Sequence, residues 1–72
     1  MKRVFNVPDI GLLVKKRRLE LGMTQPQLAD ICGTGDRFIL DLEKGKSTIQ
    51  MGKVIDIIHM LGLDLYVSER GS

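Results

Sequence analysis

The stretch "TQPQLADICGTGDRFILDLEKG", Thr24 to Gly45, decides how the rest of the chain is read. Thr24 followed three residues later by Gln27 predicts a helix start. The Thr hydroxyl can accept from a free backbone N–H, Gln27 can reach back, and Pro26 sits where its missing N–H costs nothing. Leu28 and Cys32 are four apart and share a face. Gly33 tolerates the positive φ that ends a helix. A second short helix is expected from about Asp36 to Lys44, with Ile39, Leu42 and Phe38 as its apolar positions and Gly45 as its cap. Counted from Gln25, Ala29 is the fifth position, Gly33 the ninth, Ile39 the fifteenth and Leu42 the eighteenth. Two helices crossing steeply need a small residue where they touch, which Ala29 supplies, and a permissive turn, which Gly33 supplies. With Leu28, Cys32, Ile39 and Leu42 turned inward, the outer face of the second helix stays free, as entry into a DNA major groove requires.

The flanks supply what this pair must pack against. An earlier helix is expected from Asp9 to Leu21, with Asn6 or Asp9 to cap it, Pro8 at its opening and Gly22 at its end. Ile10, Leu13, Val14 and Leu21 form its apolar stripe. Arg17 and Arg18 fall on or beside that stripe, where an arginine must snorkel or find a carboxylate. A last helix, Gln50 to Leu61, carries Met51, Val54, Ile55, Ile58 and Leu61 at helical spacing. After Gly62, "LDLYVSE" alternates: Leu63, Leu65 and Val67 to one side, Asp64, Tyr66 and Ser68 to the other. That is a strand signal, and a lone strand must pair, either with the β-prone "RVFNV" near the N-terminus or with the same strand of a second subunit.

Composition bounds the rest. The 72 residues suit one domain, residues 1–72, with a core over 9–62 and a terminal strand over about 63–69. A chain of this length buries only about 60% of its unfolded surface, which favours a dimer. The 11 basic and 9 acidic residues leave a net charge of +2, too small to decide for nucleic acid by itself. The single cysteine, Cys32, allows no internal disulfide and fits a reducing, cytoplasmic setting. No apolar run approaches the ~20 residues of a membrane span, and "MKRVFNV" lacks the apolar stretch of a signal peptide. The closing Arg70–Gly71–Ser72 is assigned no role.

The segment "RRLELGMTQPQLADICGTGDRFILDLEKG", Arg17 to Gly45, resembles the XRE (lambda-repressor/Cro-like) helix-turn-helix family, with "TQ", "LA", "G" and "I..LE.G" in register. The tail "KGKSTIQMGKVIDIIHMLGLDLYV" narrows this to a resemblance to the HipB-like antitoxin branch. The fold implied is all-α, four or five helices, with a short C-terminal β-strand pairing across a dimer through Leu63, Leu65, Tyr66 and Val67. The function implied is a sequence-specific repressor that autoregulates a toxin–antitoxin operon and binds a kinase-type toxin. Its partners would be a second copy, a pseudo-palindromic double-stranded DNA operator and that toxin, in the cytoplasm at the nucleoid.

The resemblance also implies residue roles. Asp36, Arg37 and Asp41 occupy the base-reading positions, with Leu40 or Phe38 against a thymine methyl, unless Phe38 packs internally. Asp36 has a second reading, as a cap for its helix. Arg37 suits guanine, whereas the two aspartates suit cytosine N4 but repel phosphate. That departs from the amide-rich pattern of phage repressors and implies modest affinity per subunit. Thr24, Gln25, Gly35, Lys44, Lys46 and Ser47 fall at the DNA backbone. Arg18 and Glu43 match a structural ion pair between the first and third helices.

Other features carry less. His59 reads as solvated, Cys32 as a small buried filler, and Met51 and Met60 as core or interface filler. "KKRR", Lys15 to Arg18, is either a solvated face or a contact to the DNA backbone. No metal cluster, phosphate-binding loop or catalytic constellation is present, so neither cofactor nor enzyme activity is expected. The rival readings are an unrelated XRE-family regulator and a protein-interaction module that engages a toxin through exposed apolar residues such as Leu12, Leu19 and Ile31.

Overall fold

A computed structural model describes residues 2–70; Met1, Gly71 and Ser72 lie outside the described residues. The elements are α1 (Val7–Glu20), α2 (Gln25–Cys32), α3 (Asp36–Lys44) and α4 (Met51–Met60). α1 starts earlier than the expected Asp9 because Asn6 takes the cap. Its Oδ1 accepts from the Asp9 N–H at 3.0 Å, and Asp9 Oδ2 accepts from the Phe5 N–H at 2.8 Å. α2 forms both halves of its capping box: Gln27 N–H donates to Thr24 Oγ1 at 3.2 Å and Thr24 N–H to Gln27 Oε1 at 2.8 Å. Gly33 closes α2 at φ +69°, and the Thr34 N–H donates back to the Ala29 carbonyl at 2.9 Å. This tight turn sets the angle between α2 and α3.

The core draws on every helix: Ile10 and Val14, Leu28 and Ala29, Ile39 and Leu42, then Val54, Ile57 and Ile58, with Leu61 just past α4. α1 packs on α3, α2 on α3, and α2 on α4. The α1–α3 approach is so close that a Cβ at Gly11 would run into the Leu42 carbonyl oxygen. Gly45 ends α3 at φ +80°, and a Cβ there would run into Pro8, so the start of α1 lies beside the end of α3.

Several expectations need correction. Leu21, placed on the α1 stripe, is exposed, because the helix stops at Glu20 and the chain turns at Leu21. The inward face of α4 is centred on Val54, Ile57, Ile58 and Leu61. Including Ile57 rotates that face away from Met51, which is exposed, and from Ile55, which is half-buried. Met60 is also exposed, so neither Met51 nor Met60 fills the core. Among the described residues of the single chain there is no strand, so the expected terminal strand does not form within the chain. Pairing of Leu63–Ser68 with "RVFNV" does not form; the Phe5 N–H donates instead to Asp9 Oδ2. Leu63 rests half-buried against the core, its N–H donating to the Ile58 carbonyl at 3.1 Å. Leu65, Tyr66 and Val67 are exposed.

Candidate nucleic-acid interface

α3 divides cleanly. At about 100° per residue, Phe38, Ile39, Leu42 and Glu43 fall on one side, and Asp36, Arg37, Leu40, Asp41 and Lys44 on the other. Ile39 and Leu42 are fully buried, while Asp36, Arg37 and Lys44 are exposed and Leu40 and Asp41 half-buried. The helix is nine residues long, and with side chains a helix is about 10–12 Å across, which fits a major groove about 12 Å wide. Its N-cap is Gly35, with no side-chain capping bond, so Asp36 does not cap α3. Asp36 stands instead in the first turn, where a carboxylate complements the helix dipole.

Behind α3, Arg18 and Glu43 form a bidentate pair. Arg18 Nε donates to Glu43 Oε2 at 2.7 Å and Nη2 to Oε1 at 2.9 Å. Their side chains are 8% and 3% exposed. The hydrogen bond to Glu43 holds the Arg18 guanidinium above its usual value, with burial pulling the other way. Arg18 Nη1 also donates to the Met23 carbonyl at 2.8 Å, fixing the α1–α2 turn. Gln25 Nε2 donates to Glu43 Oε1 at 3.2 Å. The pair thus places the first turn of α2, and with it Thr24 and Gln25, relative to α3. In the free chain the Gln25 amide is turned to Glu43, and the Thr24 hydroxyl to its own helix.

On the outer side, Arg37 Nε lies 3.1 Å from Asp41 Oδ1, and Lys46 Nζ lies 3.7 Å from Asp41 Oδ2. These three residues are brought together. Lys44, Lys46 and Ser47 are all exposed at the end of α3 and in the turn after it. Phe38 belongs to the inner side: it packs against the core, with Lys53 of α4 5.4 Å above its ring, as the internal-packing alternative expects.

The "KKRR" run resolves into two exposed lysines, Lys15 and Lys16, and two structural arginines. Arg17 Nε donates to the Leu61 carbonyl at 2.9 Å, capping the end of α4 with a cation. Gly11 was missed as a structural residue, and so was the partner of Arg17. The signal for Gly11 was a glycine inside a helix, a costly choice that marks a close backbone approach; nothing in the sequence marked the reach of Arg17 to Leu61. His59 is exposed. Cys32 is half-buried against the core, and burial raises its thiol pKa. Among the described residues no group of three or more His, Cys, Asp or Glu is placed to hold a metal, and no helix is long and apolar enough to cross a membrane.

Comparison with known proteins agrees with this geometry. A helix-turn-helix family model, HTH_3, matches residues 14–67. The uncharacterized HTH-type transcriptional regulator y4mF of Sinorhizobium fredii (strain NBRC 101917 / NGR234) is 43% identical over 70 residues, covering 97% of this chain and 92% of that protein. Solved structures described as a HipA-HipB-O2-O3 complex, a HipB-O4 20mer complex and an "MDT Protein" are each similar at TM-score 0.86 and 18% identity. Each match covers 97% of this chain and 99% of that chain. At that identity they speak for the fold.

Proposed function

The chain belongs to the HTH_3 helix-turn-helix family, with an HTH-type transcriptional regulator as its relative, and from that premise we propose that it is a homodimeric, sequence-specific DNA-binding repressor. The observation that carries the proposal is α3 itself, whose inner face is sealed while Arg37 projects from its outer face. Arg37 reads guanine, Asp36 and Leu40 lie beside it in the groove, and Thr24, Gln25, Gly35, Lys44, Lys46 and Ser47 meet the phosphates. Two copies place their third helices in successive major grooves about 34–36 Å apart. The exposed Leu65, Tyr66 and Val67, which lack a partner strand within the chain, join the copies. A second role goes with it, as the antitoxin of a kinase-type toxin: the tail resembles the HipB-like branch, and a fold of this kind is found in a HipA-HipB complex. The exposed Leu12, Leu19 and Ile31 offer surface for such a partner.

The test is a titration of the DNA upstream of the chain's own reading frame at several salt concentrations. Binding should weaken steeply with salt, as phosphate neutralisation demands. Arg37→Ala should lose about 1–3 kcal/mol and relax specificity at one base pair per half-site. Equal affinity for upstream and scrambled duplexes would leave the interaction-module reading instead.

A further inference from the structure

Of the two acidic residues on the groove side of α3, Asp36 complements the helix dipole, whereas Asp41 is an odd choice for a DNA-binding surface that its surroundings explain. We infer that Asp41 is a positioning residue that presets Arg37 for one guanine and reads no base itself; this rests on the DNA-binding proposal above. Arg37 and Asp41 are one helical turn apart, with their closest approach, 3.1 Å, between Nε and Oδ1. The Arg37 side chain is 77% exposed, whereas that of Asp41 is only 16% exposed. The carboxylate is therefore the fixed partner and the guanidinium the presented one. Guanine O6 and N7 take two parallel donors from a guanidinium. Held from its Nε side, Arg37 keeps its far edge for that recognition and has lost rotamer freedom before binding.

Asp41 is meanwhile a poor reader of cytosine. One oxygen faces Arg37, and the other faces Lys46 Nζ at 3.7 Å. Lys46 comes from the turn after α3, among the residues proposed to meet phosphate. Arg37, Asp41 and Lys46 together carry a net charge of +1, so the carboxylate does not make this corner of the surface repel the duplex. It links a base-reading cation to a phosphate-binding one.

Selection from a pool of fully randomised DNA duplexes tests this with the full-length chain, Arg37→Ala, Asp41→Asn, Asp41→Glu and the Arg37→Ala/Asp41→Asn double variant. The unaltered chain should enrich a site with a guanine in each half. Arg37→Ala should lose that preference. Asp41→Asn should weaken the preference at the same base pair about twofold, the share that an exposed pair one helical turn apart can preset. Its affinity for unselected duplex should stay level or rise, since a negative charge is gone. The double variant should discriminate no worse than Arg37→Ala, and Asp41→Glu should restore part of the preference. A merely structural role would weaken all base positions alike, and that result would overturn the inference. So would an unchanged guanine preference, or a loss at a different base pair, which would make Asp41 a reader. If the unaltered chain enriches nothing even at low salt, the DNA-binding proposal itself falls, a result distinct from those three.

Discussion

Replacing Glu43 with alanine probes the joint on which both fold and interface depend. Glu43 accepts three hydrogen bonds, two from Arg18 and one from Gln25. Glu43→Ala removes all three and leaves Arg18 only its bond to the Met23 carbonyl. Breaking a buried ion pair from one side costs about 3–5 kcal/mol, because the surviving charge stays buried without its counterion. In a chain this small the site is never far from water, so the lower figure, about 3 kcal/mol, is expected. A folded chain of 72 residues has a total stability of about 4–11 kcal/mol. The loss therefore takes a quarter to most of it and lowers the melting temperature by about 12–24 °C.

Far-UV circular dichroism melts at a single protein concentration read this directly; the concentration is held fixed because dimerisation would otherwise enter the result. The companion variant replaces both partners, Arg18→Met with Glu43→Leu. Since an apolar pair of similar volume is often as stable as the ion pair it replaces, the double variant should recover most of the loss. A Glu43→Ala melt within a degree or two of the unaltered chain would refute the account of the joint. A double variant no better than Glu43→Ala would refute the account of why the single change is costly.

Gly11→Ala should cost about 1–3 kcal/mol in a denaturant titration, since its Cβ meets the Leu42 carbonyl and forces α1 off α3. Gly33→Ala has open space around it but must hold φ +69°, so about 1–2 kcal/mol is expected, and less for Gly33→Asn. Ending the chain at Gly62 should leave a folded monomer in sedimentation, and an undiminished dimer would remove Leu65, Tyr66 and Val67 from the interface. Cys32 should react slowly with iodoacetamide in the native chain, because burial raises its pKa. The folded state then keeps a proton that the unfolded chain releases. Its contribution is present below the ordinary thiol range, near pH 8.5, and fades as pH rises through the raised native value. Cys32→Ser should abolish that alkaline decline in the melting temperature.

The helices were legible because their punctuation is local. Thr24, Pro26 and Gln27 make a cap within four residues, and Gly33 and Gly45 stop the chain where a left-handed residue is needed, so α2 and α3 could be bounded closely. What was not legible depended on partners far along the chain. Arg17 falls on or beside the apolar stripe of α1, where the sequence asks it to snorkel or find a carboxylate; only its reach to the Leu61 carbonyl, 44 residues away, makes it a cap. Periodicity placed Met51 on the inward face of α4 because Met51, Val54, Ile55 and Ile58 fit a helix as well as Val54, Ile57, Ile58 and Leu61 do. Packing against α2 chose between those faces. The alternation in "LDLYVSE" is a statement about side chains, whereas a strand also needs a backbone partner, and the described residues of the single chain supply none.

The two carboxylates of α3 show how one short helix separates stability from recognition. Asp41 and Glu43 are two residues apart and hence about 200° apart around the helix. Each meets an arginine, but in opposite surroundings. Glu43 faces inward, where Arg18 is sequestered and the bond holds α1, α2 and α3 in one arrangement. Asp41 faces outward, where Arg37 stays exposed. An exposed pair of this kind contributes only about 0.3–0.5 kcal/mol to a helix, too little for the fold to depend on it. Loss of Glu43 should therefore be read in melting temperature and loss of Asp41 in sequence preference. A chain in which loss of Asp41 lowered the melting temperature as much as loss of Glu43 would not have the two-sided third helix described here.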